Sequence, residues 1–406
     1  MKRAIVLSGG GARGAYEAGV LRFIVEELPK RRGIRPDFNI VCGTSVGAIH
    51  ACFLAATADQ GEERGANLAG IWEDLRVDEV FRVKGKTLLG IPKRLYALRK
   101  VGEQLRAGQR PDRLYGVLDT GPLERLVLNS IPWRGIKRNM QEGRIDAVCV
   151  TATQIATGRA VVFTQSREPL PAWASADSIH MQPLRLMPIH ALASAAIPAL
   201  FPAVRVGSRY YADGGLRLNT PLAPAVRLGA NRVLVIGLSH PAPAKLSESL
   251  AQERTQGFGN PMFLLGKILN ALLLSPIETD LSRLALVNNL IDSGIATYGD
   301  DFLLRINAEF SREGRRPLQR IESVIVRPSR DLGVLAGELL QGRHGPFELS
   351  LFLNFIFRAF RSSPDPREAD LLSYLLFDAR YARLLTDLGF QDAEAMEDEL
   401  ATFFAD

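Results

Sequence analysis

Lys2-Arg3-Ala4-Ile5-Val6-Leu7-Ser8-Gly9-Gly10-Gly11-Ala12-Arg13-Gly14 and Ile40-Val41-Cys42-Gly43-Thr44-Ser45-Val46-Gly47 decide how the chain reads. Each stretch is a short apolar run, a glycine-rich turn and the start of a helical pattern. After the first turn, Tyr16, Val20, Phe23, Ile24 and Leu28 form one helical stripe, with Pro29 and Gly33 as its stop signals. The expected elements are a strand at Ala4–Leu7, a helix over about Ala15–Leu28, a strand at Asn39–Cys42 and a helix at Val46–Ala58. Small residues in the last of these allow it to lie close on a sheet. Strand, helix, strand, helix predicts a layered α/β core.

Working outward, residues 61–110 are polar and irregular, hold Trp72 and the basic stretch Lys84–Lys100, and read as a cap or surface insertion. Asp146–Thr151 and Ala160–Thr164 read as neighbouring strands around a Thr157-Gly158 turn. Ile189–Ala196 is helical until Pro198 and Pro202 break the pattern. Arg209–Ala212 is extended and runs into Asp213-Gly214-Gly215, and Val233–Gly237 is another strand. Pro241–Gly259 reads as a polar connection, Pro261–Ser275 as a broadly apolar helix, Ser282–Ile291 as helical and Ile321–Val326 as a returning strand. From Leu332 the pattern is helical; Phe347–Phe360 is strongly apolar, and Tyr374–Leu388 carries another aromatic-aliphatic face. The domain reading is a catalytic unit over 1–330, with a helical insertion at about 241–315, and a helical extension over 331–406.

Composition is that of an ordinary globular chain: 47% hydrophobic and 23% charged over 406 residues. The formal charge of +6 is spread out, enough for a weak attraction to anionic surfaces. No zinc spacing, aromatic–basic pattern or long basic helix points to nucleic acid. Cys42, Cys52 and Cys149 sit among apolar or small neighbours and read as buried free thiols of a reducing compartment. The first glycines arrive too early for a secretory leader, and no apolar run reaches the ~18 residues of a membrane helix. The expectation is a cytoplasmic protein, with room for peripheral contact at the inner face of the membrane.

Gly43-Thr44-Ser45-Val46-Gly47 is a G-x-S-x-G nucleophile elbow, which presents a serine on a sharp strand-to-helix turn. Its bland counterpart is an ordinary βα turn that contains a serine. Gly9, Gly11 and Gly14 also spell G-x-G-x-x-G, the dinucleotide fingerprint. The ribose carboxylate expected about 20 residues on is missing: Glu26 and Glu27 fall inside the helix, and Asp37 precedes the next strand. As an oxyanion hole the same turn has a clear task, with Gly10 and Gly11 N–H as donors and Val46 N–H assisting. Arg13 could orient that turn, meet an anionic headgroup, or simply be a structural arginine at a helix start.

A serine hydroxyl needs a base. None of His50, His180, His190, His240 and His344 occupies a strand-end turn in hydrolase triad order. His50 and His190 read as structural. Asp213, exposed on a turn by Gly214 and Gly215, is the better base if it lies within about 2.6–3.2 Å of the serine and away from water.

These blocks, in this order, resemble bacterial patatin-like phospholipases. Gly9–Gly14 with Ala15–Leu21 is similar to the family's oxyanion-hole block. Gly43–Ala48 is similar to its nucleophile block, and Asp213-Gly214-Gly215 with Asn219 and Pro221 to its aspartate block. Thr151–Thr153 through Gly158 and Phe163, and Ala191–Pro202, fit as well. The resemblance covers residues 5–221 and weakens beyond Ile236. It implies a three-layer fold with a central, mostly parallel sheet between helices. It also implies a Ser45–Asp213 catalytic dyad and an oxyanion hole at Gly10, Gly11 and Val46. Gly9, Ala12, Arg13, Gly14, Gly43, Gly47, Gly214 and Gly215 would support the site, and Ser194 would occupy a supporting helix position. No metal or organic cofactor is implied.

The expected activity is release of fatty acids from glycerolipid esters, of phospholipase A or lysophospholipase type. The partners are a phospholipid or other fatty-acyl ester, with a homo-oligomer left open. An acyltransferase using the same dyad stays open, as does a partner-binding regulatory or membrane-scaffold protein with secondary lipase activity. Residues of the 61–110 lobe and the Pro261–Leu274 helix are candidate walls of an apolar acyl groove, and the helix could instead touch a membrane. Its apolar residues spread nearly all round, which favours packing.

Overall fold

A computed structural model describes residues 1–82, 111–114, 116, 118–175, 178–198, 200–241, 277–341 and 370–405. The expectations for Lys84–Lys100, Pro261–Ser275 and Phe347–Phe360, and nearly all of Pro241–Gly259, lie outside the described residues.

The apolar run after Arg3 forms β1 (Arg3–Leu7), with Ala4 to Leu7 fully buried. A strand apolar on both faces belongs at the centre of a covered parallel sheet. β2 (Ile40–Thr44) lies parallel on one side, with Ala4 opposite Ile40 and Leu7 opposite Gly43. Alternation divides the core between two layers. Ile5, Leu7 and Val41 join one apolar cluster. Ala4, Val6, Ile40 and Cys42 join a second on the other face.

The first turn leads into α1 (Gly14–Arg22), which runs through one wide turn, Phe23–Glu27, into α2 (Leu28–Arg32). Pro29, expected as the stop, sits instead in the first turn of α2. After a wide turn the missing proline N–H is tolerated, as at any helix start. Gly33, at φ 66°, ends the helix. α3 (Val46–Ala56) follows β2. α4 (Glu63–Glu73) and α5 (Val77–Val80) come from the stretch expected to be a surface insertion. They are not wholly superficial: α4 packs on α1 and buries Leu68, Ala69 and Trp72.

α6 (Gly121–Ser130) and α7 (Arg134–Gln141) precede β3 (Ala147–Gln154), parallel to β2, and its antiparallel neighbour β4 (Ala160–Ser166). β5 (Ile179–Pro183), α8 (Pro188–Ser194), β6 (Val204–Val206) and β7 (Arg209–Asp213) come next. α9 (Leu222–Arg227) and β8 (Arg232–Ile236) follow, then α10 (Ile277–Tyr298), α11 (Phe302–Arg312) and β9 (Glu322–Val326). The sheet order is β5-β4-β3-β2-β1-β8-β9, with β7 pairing β3 and β6 pairing β7. β2 and β8 flank β1 on opposite sides, so the chain changes direction across the sheet at β1. Such a switch point opens a crevice at the carboxyl ends of the strands.

The chain ends with α12 (Leu332–Gln341), α13 (Asp370–Leu375), α14 (Ala379–Ala395) and α15 (Glu397–Phe404). These helices are built into the core: Leu372, Tyr381, Leu385 and Phe403 share the cluster of Ile5 and Leu7. α14 lies against α1 at two glycines. A Cβ on Gly19 would stand 2.0 Å from the Thr386 carbonyl oxygen, and one on Gly389 2.1 Å from that of Tyr16. No helix among the described residues is long and apolar enough to cross a membrane.

Candidate active site

Three strand ends converge at the crevice. Ser45 follows β2 and has φ 55° and ψ −122°, the only non-glycine among the described residues with positive φ. A residue held in that region signals a turn that the surroundings force. Here the space between β2 and α3 is the constraint: a Cβ on Gly43 would lie 2.0 Å from the Gly47 carbonyl oxygen. The Ser45 N–H donates to Ser194 Oγ at 2.8 Å, and the Ser194 hydroxyl donates to the Thr151 carbonyl. A side chain on α8 thus ties the serine turn to β3.

Asp213 ends β7 opposite Ala152 of β3, which brings it beside the end of β2. Ser45 Oγ donates to Asp213 Oδ2 at 2.6 Å, and Gly215 N–H donates to Oδ1 at 2.7 Å. The carboxylate is almost fully buried, at 1% exposure. Burial pushes its pKa up to about 6, against the hydrogen bonds from Ser45 and Gly215 that pull it down. Thr153 Oγ1 holds the Asp213 carbonyl at 2.9 Å.

The glycine turn after β1 lies beside the serine: a Cβ on Gly9 would stand 3.0 Å from Ser45 Cβ. Asn219 clasps Gly9 from both sides, accepting its N–H at the main chain and donating from Nδ2 to its carbonyl. Gly11–Arg13 is a tight 3₁₀ turn that opens α1, with the Arg13 N–H on the Gly10 carbonyl. Among the described residues no backbone acceptor outside the helices and strands takes the N–H of Gly10, Gly11 or Val46. Gly11 and Val46 line the same cavity as Ser45.

That cavity is narrow, about 80 Å³, and almost wholly apolar. Ile49, Phe53, Leu68, Trp72, Val127 and Phe377 are among its walls. Such a lining accepts an apolar group at little cost and disfavours a charged or strongly hydrated one.

His50 faces the cavity but is fully engaged. Trp72 Nε1 donates to its Nε2 at 2.9 Å, so the ring proton sits on Nδ1, which contacts Glu17 Oε2 at 2.8 Å. Burial holds His50 down to about 3 and raises Glu17 well above the usual carboxylate range. His190 accepts the Met187 N–H on Nδ1, and burial lowers it to about 4. Neither imidazole hydrogen-bonds to Ser45. Cys42, Cys52 and Cys149 are free and buried, as expected.

Residues 5–226, more than half of the chain, match the patatin-like phospholipase family. The chain belongs to that family. Over 223 residues it is 29% identical to a cGAMP-activated phospholipase of Pseudomonas aeruginosa, a stretch covering 53% of each chain. The chain therefore spans about half the length of that relative. Among solved structures, VipD from Legionella pneumophila is 14% identical with a TM-score of 0.36, over 98% of this chain and 67% of VipD. Human GIVD cytosolic phospholipase A2, in complex with methyl gamma-linolenyl fluorophosphonate, is 16% identical with a TM-score of 0.38, over 99% and 59%.

Sequence reasoning missed two features of the site region. Phe377 lay in an extension with no local signal for the cavity, whereas Trp72 belongs to the 61–110 lobe that the sequence offered as a groove wall, and it lines the cavity. The Asn219 clasp had a matching residue but no sequence sign of its geometry.

Proposed function

We propose that the enzyme releases fatty acids from glycerolipid esters, as a phospholipase A or lysophospholipase, through an acyl-enzyme on Ser45. One observation carries the reading: a serine hydroxyl bonded to a buried carboxylate at an apolar cavity. Ser45 Oγ attacks the acyl carbonyl carbon while its proton passes to Asp213 Oδ2. The carbonyl oxygen becomes an oxyanion beside the N–H groups of Gly10, Gly11 and Val46. The ester bond then breaks, and the leaving alcohol takes the proton from Asp213. Water attacks the acyl-enzyme by the same route, releasing the fatty acid and restoring Ser45. A carboxylate with a pKa near 6 is a better base at neutral pH than one in water. No step calls for a metal or organic cofactor.

The test is fatty-acid release from phospholipids, lysophospholipids and short-chain esters by wild type, Ser45→Ala and Asp213→Asn, with products identified by mass spectrometry. Because the Pseudomonas relative is a cGAMP-activated phospholipase, each protein is assayed with and without cGAMP. An added acceptor alcohol separates hydrolysis from acyl transfer. Release that persists in folded Ser45→Ala overturns the assignment.

A further inference from the structure

The glycine turn is gripped from outside the 5–226 region. Arg13, the last residue of that turn, is 3% exposed. Its Nε donates to Ser373 Oγ at 2.8 Å, and its guanidinium carbon lies 4.3 Å from the centroid of the Tyr374 ring. The Tyr374 main chain touches the turn as well. A Cβ on Gly11 would stand 2.4 Å from the Tyr374 carbonyl oxygen, so at φ 57° the turn is moulded onto this segment. Three residues on, Phe377 enters the cavity that Ser45 and Gly11 line. It stacks on Trp72 at 6.2 Å and 13° and meets Phe81 edge-on at 6.1 Å.

A buried guanidinium is stable only where its hydrogen bonds and charge are met. The Ser373 hydroxyl accepts one of its N–H bonds and the Tyr374 face meets part of its charge, and a cation over a ring is worth more once water is excluded. The anchored side chain belongs to the turn itself. Fixing it therefore fixes the direction of the Gly10 and Gly11 N–H groups, whose aim decides how well an oxyanion is held.

We propose that Ser373 and Tyr374 are positioning residues that act through Arg13 on the glycine turn, while Phe377 sets acyl-chain preference as a wall of the cavity. The site is incomplete without residues 373–377. This rests on the Ser45 acyl-enzyme reading, and one arm of the test is independent of it.

The full-length variants Ser373→Ala, Tyr374→Leu and Phe377→Ala are compared with the conservative Ser373→Thr and Tyr374→Phe. Two readouts depend on Ser45 chemistry: steady-state ester hydrolysis and the rate of phosphonylation by an alkyl fluorophosphonate. The third, amide hydrogen exchange in peptides covering residues 8–14 and 147–154, does not. Ser373→Ala and Tyr374→Leu are expected to lower kcat and phosphonylation about 10-fold or more with little change in KM, short of the 10²–10³ for losing an oxyanion donor outright. They are expected to speed exchange in 8–14 and not in 147–154, and the conservative variants to restore both. Phe377→Ala is expected to raise the ratio of KM for a sixteen-carbon ester to KM for a four-carbon ester about 10-fold. Unchanged exchange in 8–14, or equal acceleration in both peptides, overturns the positioning role whether or not Ser45 reacts. A constant KM ratio in Phe377→Ala overturns the wall. If wild type is not phosphonylated at Ser45, the acyl-enzyme reading fails, and the exchange arm alone decides the grip on the turn.

Discussion

The serine turn and the 373–377 segment meet at one cavity, yet they are built in opposite ways. The serine turn is local. Gly43, Ser45 and Gly47 lie within five residues, and the strain at Ser45 arises where β2 passes directly into α3. The 373–377 segment is remote. Ser373 reaches Arg13 across 360 residues of chain, and α14 reaches α1 only because Gly19 and Gly389 let two backbones touch. A local device survives changes elsewhere in the chain. A remote one is as reliable as the whole fold that brings its halves together, which makes it the natural place for an active site to be sensitive to distant change.

The largest effect expected on the local side is loss of activity in Ser45→Ala and Asp213→Asn, on the order of 10⁴-fold or more in kcat. Next comes Gly11→Ala. Its φ of 57° and the Tyr374 carbonyl leave no place for a methyl group, so the turn must shift. A loss of about 10²–10³ in kcat is expected, with KM changed much less.

Asp213→Asn sharpens the comparison through pH. The folded pKa of about 6 lies above the ordinary value of 3.8. The contribution of the carboxyl to stability is therefore full below about 3.8 and is lost as pH rises through about 6. The amide carries no such burden. Asp213→Asn should melt higher than wild type at pH 8, by a difference on the order of 3 kcal/mol, and the gap should close below pH 4. In wild type, kcat/KM should rise with pH through an apparent pKa near 6 and then level off. An activity that falls over that range would remove Asp213 as the base.

Gly19→Ala probes the remote side through stability. Forcing a methyl against the Thr386 carbonyl should cost about 1–3 kcal/mol, read by denaturant melts of the full chain. A neutral result would mean that α14 is not seated on α1. Smallest of all, Glu397→Gln removes surface pairs with Arg31 and Arg32 and should barely move the melting temperature.

The same contrast explains what the sequence disclosed. β1, the elbow and the Asp213-Gly214-Gly215 turn were legible because each puts its strand, turn residue and functional group within about ten positions. Four apolar residues in a row marked β1 as a strand, while its central place emerged from its pairing with β2 and β8. The run of the first helix past Pro29 was not legible, because a wide turn leaves no mark in residue type. Trp72 lay in a lobe that the sequence offered as a groove wall, but its partners, His50 and Phe377, are distant in sequence and were not legible from it. The C-terminal helices showed their periodicity but not their destination. Periodicity states that a face is apolar; only the packed chain states which surface covers it.

The central claim is that Ser45 is the nucleophile and that Asp213 makes it one. The most direct measurement is mass-spectrometric mapping of the adduct formed with a fatty-acyl fluorophosphonate, with its rate in wild type, Ser45→Ala and Asp213→Asn. The account predicts a single adduct on Ser45, none in Ser45→Ala, and formation slowed at least 100-fold in Asp213→Asn. An adduct on another residue, or an unchanged rate in Asp213→Asn, would contradict it.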